Sequence, residues 1–141
     1  MSWQDYIDNL KTPDQSGMAP IMEAAICGAS PGQEAIWAKS SGLASISADE
    51  IKKLNGDRSS FFQNGVYISG VKCRMLRDMM SDTPPCMDMK TAPDADGATY
   101  NICVGKTKTA LVIGKGTKEA SGGQVNAKVC GVVKYLTDLN M

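Results

Sequence analysis

From Ile21 to Gly114 the apolar residues fall in short runs cut by turn residues, and this punctuation limits the chain to architectures built on short strands. The runs at 21–28 and 34–39 flank the turn Ser30-Pro31-Gly32. After Phe61 come segments 65–69, 72–80, 87–91, 99–105 and 109–114, separated by Asn64-Gly65, Ser69-Gly70, Pro84-Pro85 and Asp96-Gly97. That succession predicts an antiparallel meander. Helical spacing is found elsewhere. Near the start, Trp3, Ile7 and Leu10 recur at i, i+4 and i+7 with Tyr6 beside them, and Ser2 and Asp5 stand at capping-box distance. Near the end, Ser121-Gly122-Gly123 opens a stripe of Val125, Val129, Val132, Val133, Leu136 and Leu139, with Lys128 and Tyr135 on one flank and Asn126, Cys130 and Thr137 on the other. A third, short helix is expected after Ser47, with Glu50 completing the cap, Ile51 and Leu54 facing inward and Asn55-Gly56 stopping it. The expected fold is α+β, one domain over 1–141, with a central antiparallel β-sheet and the terminal helices packed on a sheet face.

With 141 residues, the chain is long enough to bury a core without disulfides or metal. Its five cysteines, Cys27, Cys73, Cys86, Cys103 and Cys130, are odd in number and contain no C-x-x-C pair, which speaks against a disulfide framework or a zinc site and for reduced thiols in a cytosolic protein. No apolar run approaches the roughly 18 residues of a membrane span. The net charge of zero leaves no overall footprint for nucleic acid. The sign is segregated, however: −5 over residues 1–50, +1 over 51–100 and +4 over 101–141. A basic middle and end suit an acidic protein or an anionic headgroup, or are simply a solvated face.

Histidine is absent, which removes Ser-His-Asp and Cys-His catalysis together with the commonest metal ligand. Gly114-Lys115-Gly116 completes neither phosphate-loop pattern and reads as a hairpin or strand-end loop. Nothing in the spacing brings Asp78 and Asp88 together as paired carboxylates. Cys73, between Lys72 and Arg74, is the one candidate nucleophile, and a strand residue alternating with surface basics is the preferred reading. The expectation is a protein that is not an enzyme and needs no cofactor.

Trp3, Tyr6, Trp37 and Tyr135 come from three segments that this fold class can bring together. Packing alone explains them, since aromatics dominate core energetics. The alternative is an open aromatic platform for proline-rich peptide: a polyproline II helix is already rigid, its rings stack on aromatic planes, and its carbonyls accept from Trp N–H and Tyr O–H. Asn9 is placed to add one more hydrogen bond to such a peptide.

Residues 3–10 (Trp3-Gln4-Asp5-Tyr6-Ile7-Asp8-Asn9-Leu10), Asp57-Arg58-Ser59-Ser60-Phe61 running into Asn64-Gly65, Lys72-Cys73, Arg77-Asp78, Met87-Asp88, Thr99-Tyr100-Asn101 and Gly122-Gly123 are collinear with motifs of vertebrate-type profilins, and the chain resembles that family over nearly its whole length. The resemblance implies a profilin-like sheet with the N- and C-terminal helices together on one face and a short helix on the other. It further implies a cytoplasmic, cytoskeletal monomer that binds monomeric actin, promotes its nucleotide exchange and docks on proline-rich proteins such as formins. Phosphatidylinositol bisphosphate is the third implied partner. Carried over by position, the poly-proline residues are Trp3, Tyr6, Asn9, Trp37, Tyr135, Leu136 and Met141, the last replacing a familiar terminal aromatic. The implied actin contacts are Lys72, Arg77, Lys90, Thr99, Asn101, Gly123 and Asn126. The implied phosphoinositide contacts are Lys72, Arg74, Arg77 and Lys90, with Lys128 and Lys134 as a second group. Around the actin positions the chain departs from the pattern. Ser121 stands where a histidine is familiar, Ala127 where a lysine is, and Cys130-Gly131 where a tyrosine and an acidic residue are; Thr83-Pro84-Pro85-Cys86 is a different loop. A second reading on the same fold is therefore an adaptor for proline-rich peptide and phosphoinositide with weakened actin binding.

Overall fold

The computed structural model describes residues 2–141. Helix α1 (Trp3–Leu10) leads into strands β1 (Ile21–Gly28) and β2 (Ala35–Lys39), a 3-10 turn (Ser41–Leu43), and helices α2 (Ala48–Leu54) and α3 (Phe61–Asn64). Strands β3 (Val66–Ile68), β4 (Val71–Met79), β5 (Cys86–Thr91), β6 (Asn101–Lys106) and β7 (Ala110–Gly116) follow, and helix α4 (Gly122–Asp138) closes the order. The strands form one antiparallel sheet in the order β2-β1-β7-β6-β5-β4-β3.

Each expected helix start is built as its residues dictate. The Asp5 carboxylate accepts from Ser2 N–H at 2.9 Å. Ser47 Oγ accepts from Glu50 N–H while Glu50 accepts from Ser47 N–H, at 3.1 and 3.2 Å. Ser121 and Gln124 repeat the exchange for α4, at 3.1 and 2.9 Å. Such caps satisfy amides that have no partner inside the helix.

Both faces of the sheet are covered at its centre, so the central strands are apolar at nearly every position while still alternating by face. In β7, Ala110 and Val112 join α1 and α4, whereas Leu111 and Ile113 join α2, α3 and the 3-10 turn. Tyr6, Ile7 and Leu10 of α1 meet Val125, Val129, Val132, Val133 and Leu136 of α4 in the first layer. In the second, Leu43, Ile46, Ile51, Leu54 and Phe61 pack on Met75, Met87, Met89 and Val104. Helix α4 lies so near the sheet that a Cβ at Gly114 would stand 2.7 Å from the Val129 Cγ2 methyl.

One expectation is extended and one is corrected. The second face carries α3 and a 3-10 turn besides the expected short helix; four residues are too few to show a helical period, although Phe61 at its start is fully buried. Leu139 is not part of the inward stripe of α4. The helix ends at Asp138, and Leu139, at its C-cap, is 49% exposed.

Candidate functional site: an aromatic row and a basic sheet face

The terminal helices lie side by side on one face of the sheet, and four rings run along their seam. Trp37 on β2 stacks against Trp3 at 4.9 Å between ring centres, Trp3 meets Tyr6 at 5.8 Å, and Tyr6 meets Tyr135 on α4 at 6.1 Å. Their planes are tilted by 39° to 51°, between stacked and edge-to-face, at centre distances where aromatic pairs interact. Exposure divides the two readings of the aromatics. Tyr6 is 4% exposed and belongs to the core, while Trp37 and Tyr135 remain 40% and 50% exposed and Trp3 is half-buried. The row is thus anchored from inside and open from outside.

Beside Tyr6 and Tyr135 lies a cleft of about 500 Å³, lined also by Asn9, Ala127, Lys128, Gly131 and Val132. Lys128 donates to the Asn9 backbone oxygen at 3.3 Å and to Thr12 Oγ1 at 3.0 Å, so its charge braces the C-terminal end of α1, as the helix dipole favours. Leu136 is fully buried under the row. Met141 packs against the same core outside the cleft; its N–H donates to the Leu136 carbonyl at 2.9 Å, and its backbone oxygen accepts from Thr107 and Thr109.

Gly28 sets the position of Trp37, a role that no sequence signal marked. A Cβ there would stand 2.6 Å from indole atoms Cε2 and Cζ2, so only a bare backbone lets the ring lie on β1. Gly28→Ala is expected to displace Trp37 at a cost of about 1–3 kcal/mol in stability. Peptide affinity should fall about 5–10-fold, measured by calorimetry alongside thermal unfolding.

The basic residues converge on the half of the same sheet face that α4 leaves uncovered. Arg74, Lys90 and Asn101 stand opposite one another across β4, β5 and β6, and Arg77, Asp88 and Cys103 form the parallel row. Lys72 shares the face of Arg74 by strand alternation. Lys72, Arg74, Lys90 and Thr99 line a cleft of about 440 Å³. Arg77 is spent on an ion pair with the buried Asp88 carboxylate at 3.0 Å, whose other oxygen accepts from Asn126 Nδ2 at 2.8 Å. Asn101 donates to the Ala120 carbonyl at 3.2 Å, beneath the start of α4 where Gly123 is exposed. All seven positions of the implied actin set thus border one surface, though Arg77, Asn101 and Asn126 already have partners. Lys134 is exposed, but six residues separate it from Lys128, so the two point about 120° apart around α4 and form no single patch.

Asp78 pairs with Arg58 at 3.0 Å rather than with Asp88, so the carboxylates serve separate ion pairs. Burial pushes the Cys73 thiol up to about 12, and the side chain is 1% exposed, which makes it a strand residue and not a nucleophile. The spacing of the cysteines concealed one feature. Cys86, Cys103 and Cys130 come together, and hydrogen bonds from Cys103, then Cys130 and Asn126, outweigh burial to hold the Cys86 thiol below its usual range.

Seven antiparallel strands, flanking terminal helices and an open ring row along their seam define a small α+β binding module. The profilin family model matches residues 1–141. Rat profilin-2 is 36% identical over 140 residues, covering 96% of each chain, and human profilin-1 is 33% identical over 138 residues, covering 95% of this chain and 94% of that one. Mouse profilin IIa, solved in complex with a double repeat from the FH1 domain of mDia1, superposes with a TM-score of 0.87 at 34% identity and full coverage of both chains. The chain belongs to the profilin family, whose members are actin-binding regulators and not enzymes. No helix among the described residues is long and apolar enough to cross a membrane.

Proposed function

We propose that this chain acts as a single-domain, monomeric cytoplasmic regulator of the actin cytoskeleton, holding a proline-rich segment in its aromatic row and an actin monomer on its sheet face. The observation that carries the reading is the continuous row Trp37, Trp3, Tyr6 and Tyr135, with its inner ring buried and its outer rings open. The FH1 double repeat bound by mouse profilin IIa supports a formin-type proline-rich partner. On this reading Trp3, Trp37 and Tyr135 stack on the peptide, Tyr6 and Asn9 offer hydrogen bonds at the cleft, and Leu136 and Met141 hold the row from behind.

Lys72, Lys90, Thr99 and Gly123 are the proposed actin contacts, with Arg77, Asn101 and Asn126 shaping the surface around them. Nucleotide exchange on monomeric actin, followed with a fluorescent nucleotide, tests this half: the rate should rise with added chain. A specific observation favours the adaptor as second reading. Ala127 and Gly131 are exposed and small, and Ser121 is occupied as a helix cap, so this flank of α4 presents few of the large groups that dominate interfaces. No acceleration from a chain that still binds polyproline would favour the adaptor.

Phosphoinositide is proposed to dock at Lys72, Arg74 and Lys90, with Arg77 contributing less because Asp88 offsets it; Lys128 and Lys134, which share no patch, add only separate charges elsewhere on α4. Near a membrane each such charge is worth about 1 kcal/mol. Lys90→Ala should therefore weaken binding to bisphosphate-containing vesicles about five-fold at low salt, with a smaller change at high salt, measured by vesicle co-sedimentation. Because Lys72 and Lys90 serve both ligands, actin and vesicles should compete.

A further inference from the structure

Three thiols from three separate elements meet beneath α4. Cys86 on β5 and Cys103 on β6 face the helix, Cys130 reaches down from it, and their Sγ atoms all lie within 4.8 Å of one another. The Cys86 and Cys130 sulfurs are 3.2 Å apart. Cys86 and Cys103 are 4% and 1% exposed, while Cys130 is only half-buried and provides an entrance. Asn126 touches all three sulfurs, its Oδ1 accepting from the Cys130 thiol at 3.4 Å. Asn126 Nδ2 stands 3.5 Å from Cys86 Sγ and 3.8 Å from Cys103 Sγ, and Asp88, paired with Arg77, fixes that amide at 2.8 Å.

We propose that Cys86, Cys103 and Cys130 form a three-thiolate site for one soft monovalent metal ion, copper(I). A metal–sulfur bond of about 2.3 Å in trigonal coordination spaces the sulfurs about 4 Å apart, inside the spread seen here. Zinc in a structural site takes four ligands, and the chain contains no histidine. Among the described residues no carboxylate or fourth thiol joins the group, so the donor set matches a soft ion content with three sulfurs. On binding, the S–H protons leave to solvent and the thiolates take the metal in their place. Asn126 then acts as a positioning residue, its Nδ2 lying beside Cys86 and Cys103 and its Oδ1 beside Cys130. Bound metal would tie α4 to β5 and β6, stabilising the folded chain by an amount that grows with the logarithm of free metal over its dissociation constant.

The test is an anaerobic copper(I) titration of the fully reduced chain against a chromophoric copper(I) chelator, with X-ray absorption on the loaded protein. One equivalent, three sulfur neighbours and a raised melting temperature are expected. Cys130→Ser should weaken copper(I) binding by more than about 100-fold, and Asn126→Ala by roughly 10–100-fold. Two sulfur neighbours, a preference for zinc(II), or unchanged affinity in folded Cys130→Ser would each overturn the site. Should Cys130→Ser not fold, the sulfur count of the unaltered chain decides alone.

Discussion

Trp3→Ala is expected to lower the affinity for a proline-rich peptide by at least about 30-fold, equivalent to about 2 kcal/mol, while the chain stays folded. The indole stands between Trp37 and Tyr6, at 4.9 and 5.8 Å, so its loss opens a gap in the middle of the row instead of trimming one end. It is half-buried, whereas Ile7 and Leu10 of the same helix are 1% and 0% exposed and keep α1 docked. Calorimetric titration with a decaproline peptide, with circular dichroism as the folding check, measures both quantities. Unchanged affinity would return Trp3 to a packing role and move the peptide site elsewhere.

Leu136→Ala is expected to cost about 2–5 kcal/mol of stability and to lower the melting temperature on the order of 10 °C. The side chain is fully buried in the layer shared by α1, α4 and the sheet, directly under the row. Its truncation leaves a cavity that rigid neighbours on β7 and α1 fill poorly. Below the new melting temperature, peptide affinity should fall by less than in Trp3→Ala, because Leu136 supports rings without touching the ligand. A larger affinity loss than stability loss would show that Leu136 itself meets the peptide.

Much of the fold is legible in the chain because local signals and tertiary packing agree. Ser47 with Glu50, and Ser121 with its glycines, mark helix starts that the hydrogen bonds then confirm. Strand ends shift by a residue or two, as where β4 begins at Val71 instead of 72, since pairing partners and not propensity decide the last residue. Helix α3 escapes because its four residues carry no period. The aromatic row was legible as a set of ring types, yet which rings stay open depends on the depth of α1 in its seat: Tyr6 sinks and Trp3 does not. Gly28 and the thiol trio lay outside what spacing can reveal. A glycine under an indole looks like any glycine, and cysteines 44 residues apart meet only when α4 crosses β5.

Trp3 and Trp37 are the only two tryptophans in the chain, and both sit in the row. Intrinsic tryptophan fluorescence therefore reports on the proposed peptide site without any added label. Titration with a decaproline peptide should give a saturable change with one-to-one stoichiometry, and a glycine-serine peptide of equal length should give none. A flat signal with a folded chain, or an equal response to both peptides, would contradict the assignment of this row as a proline-rich docking site.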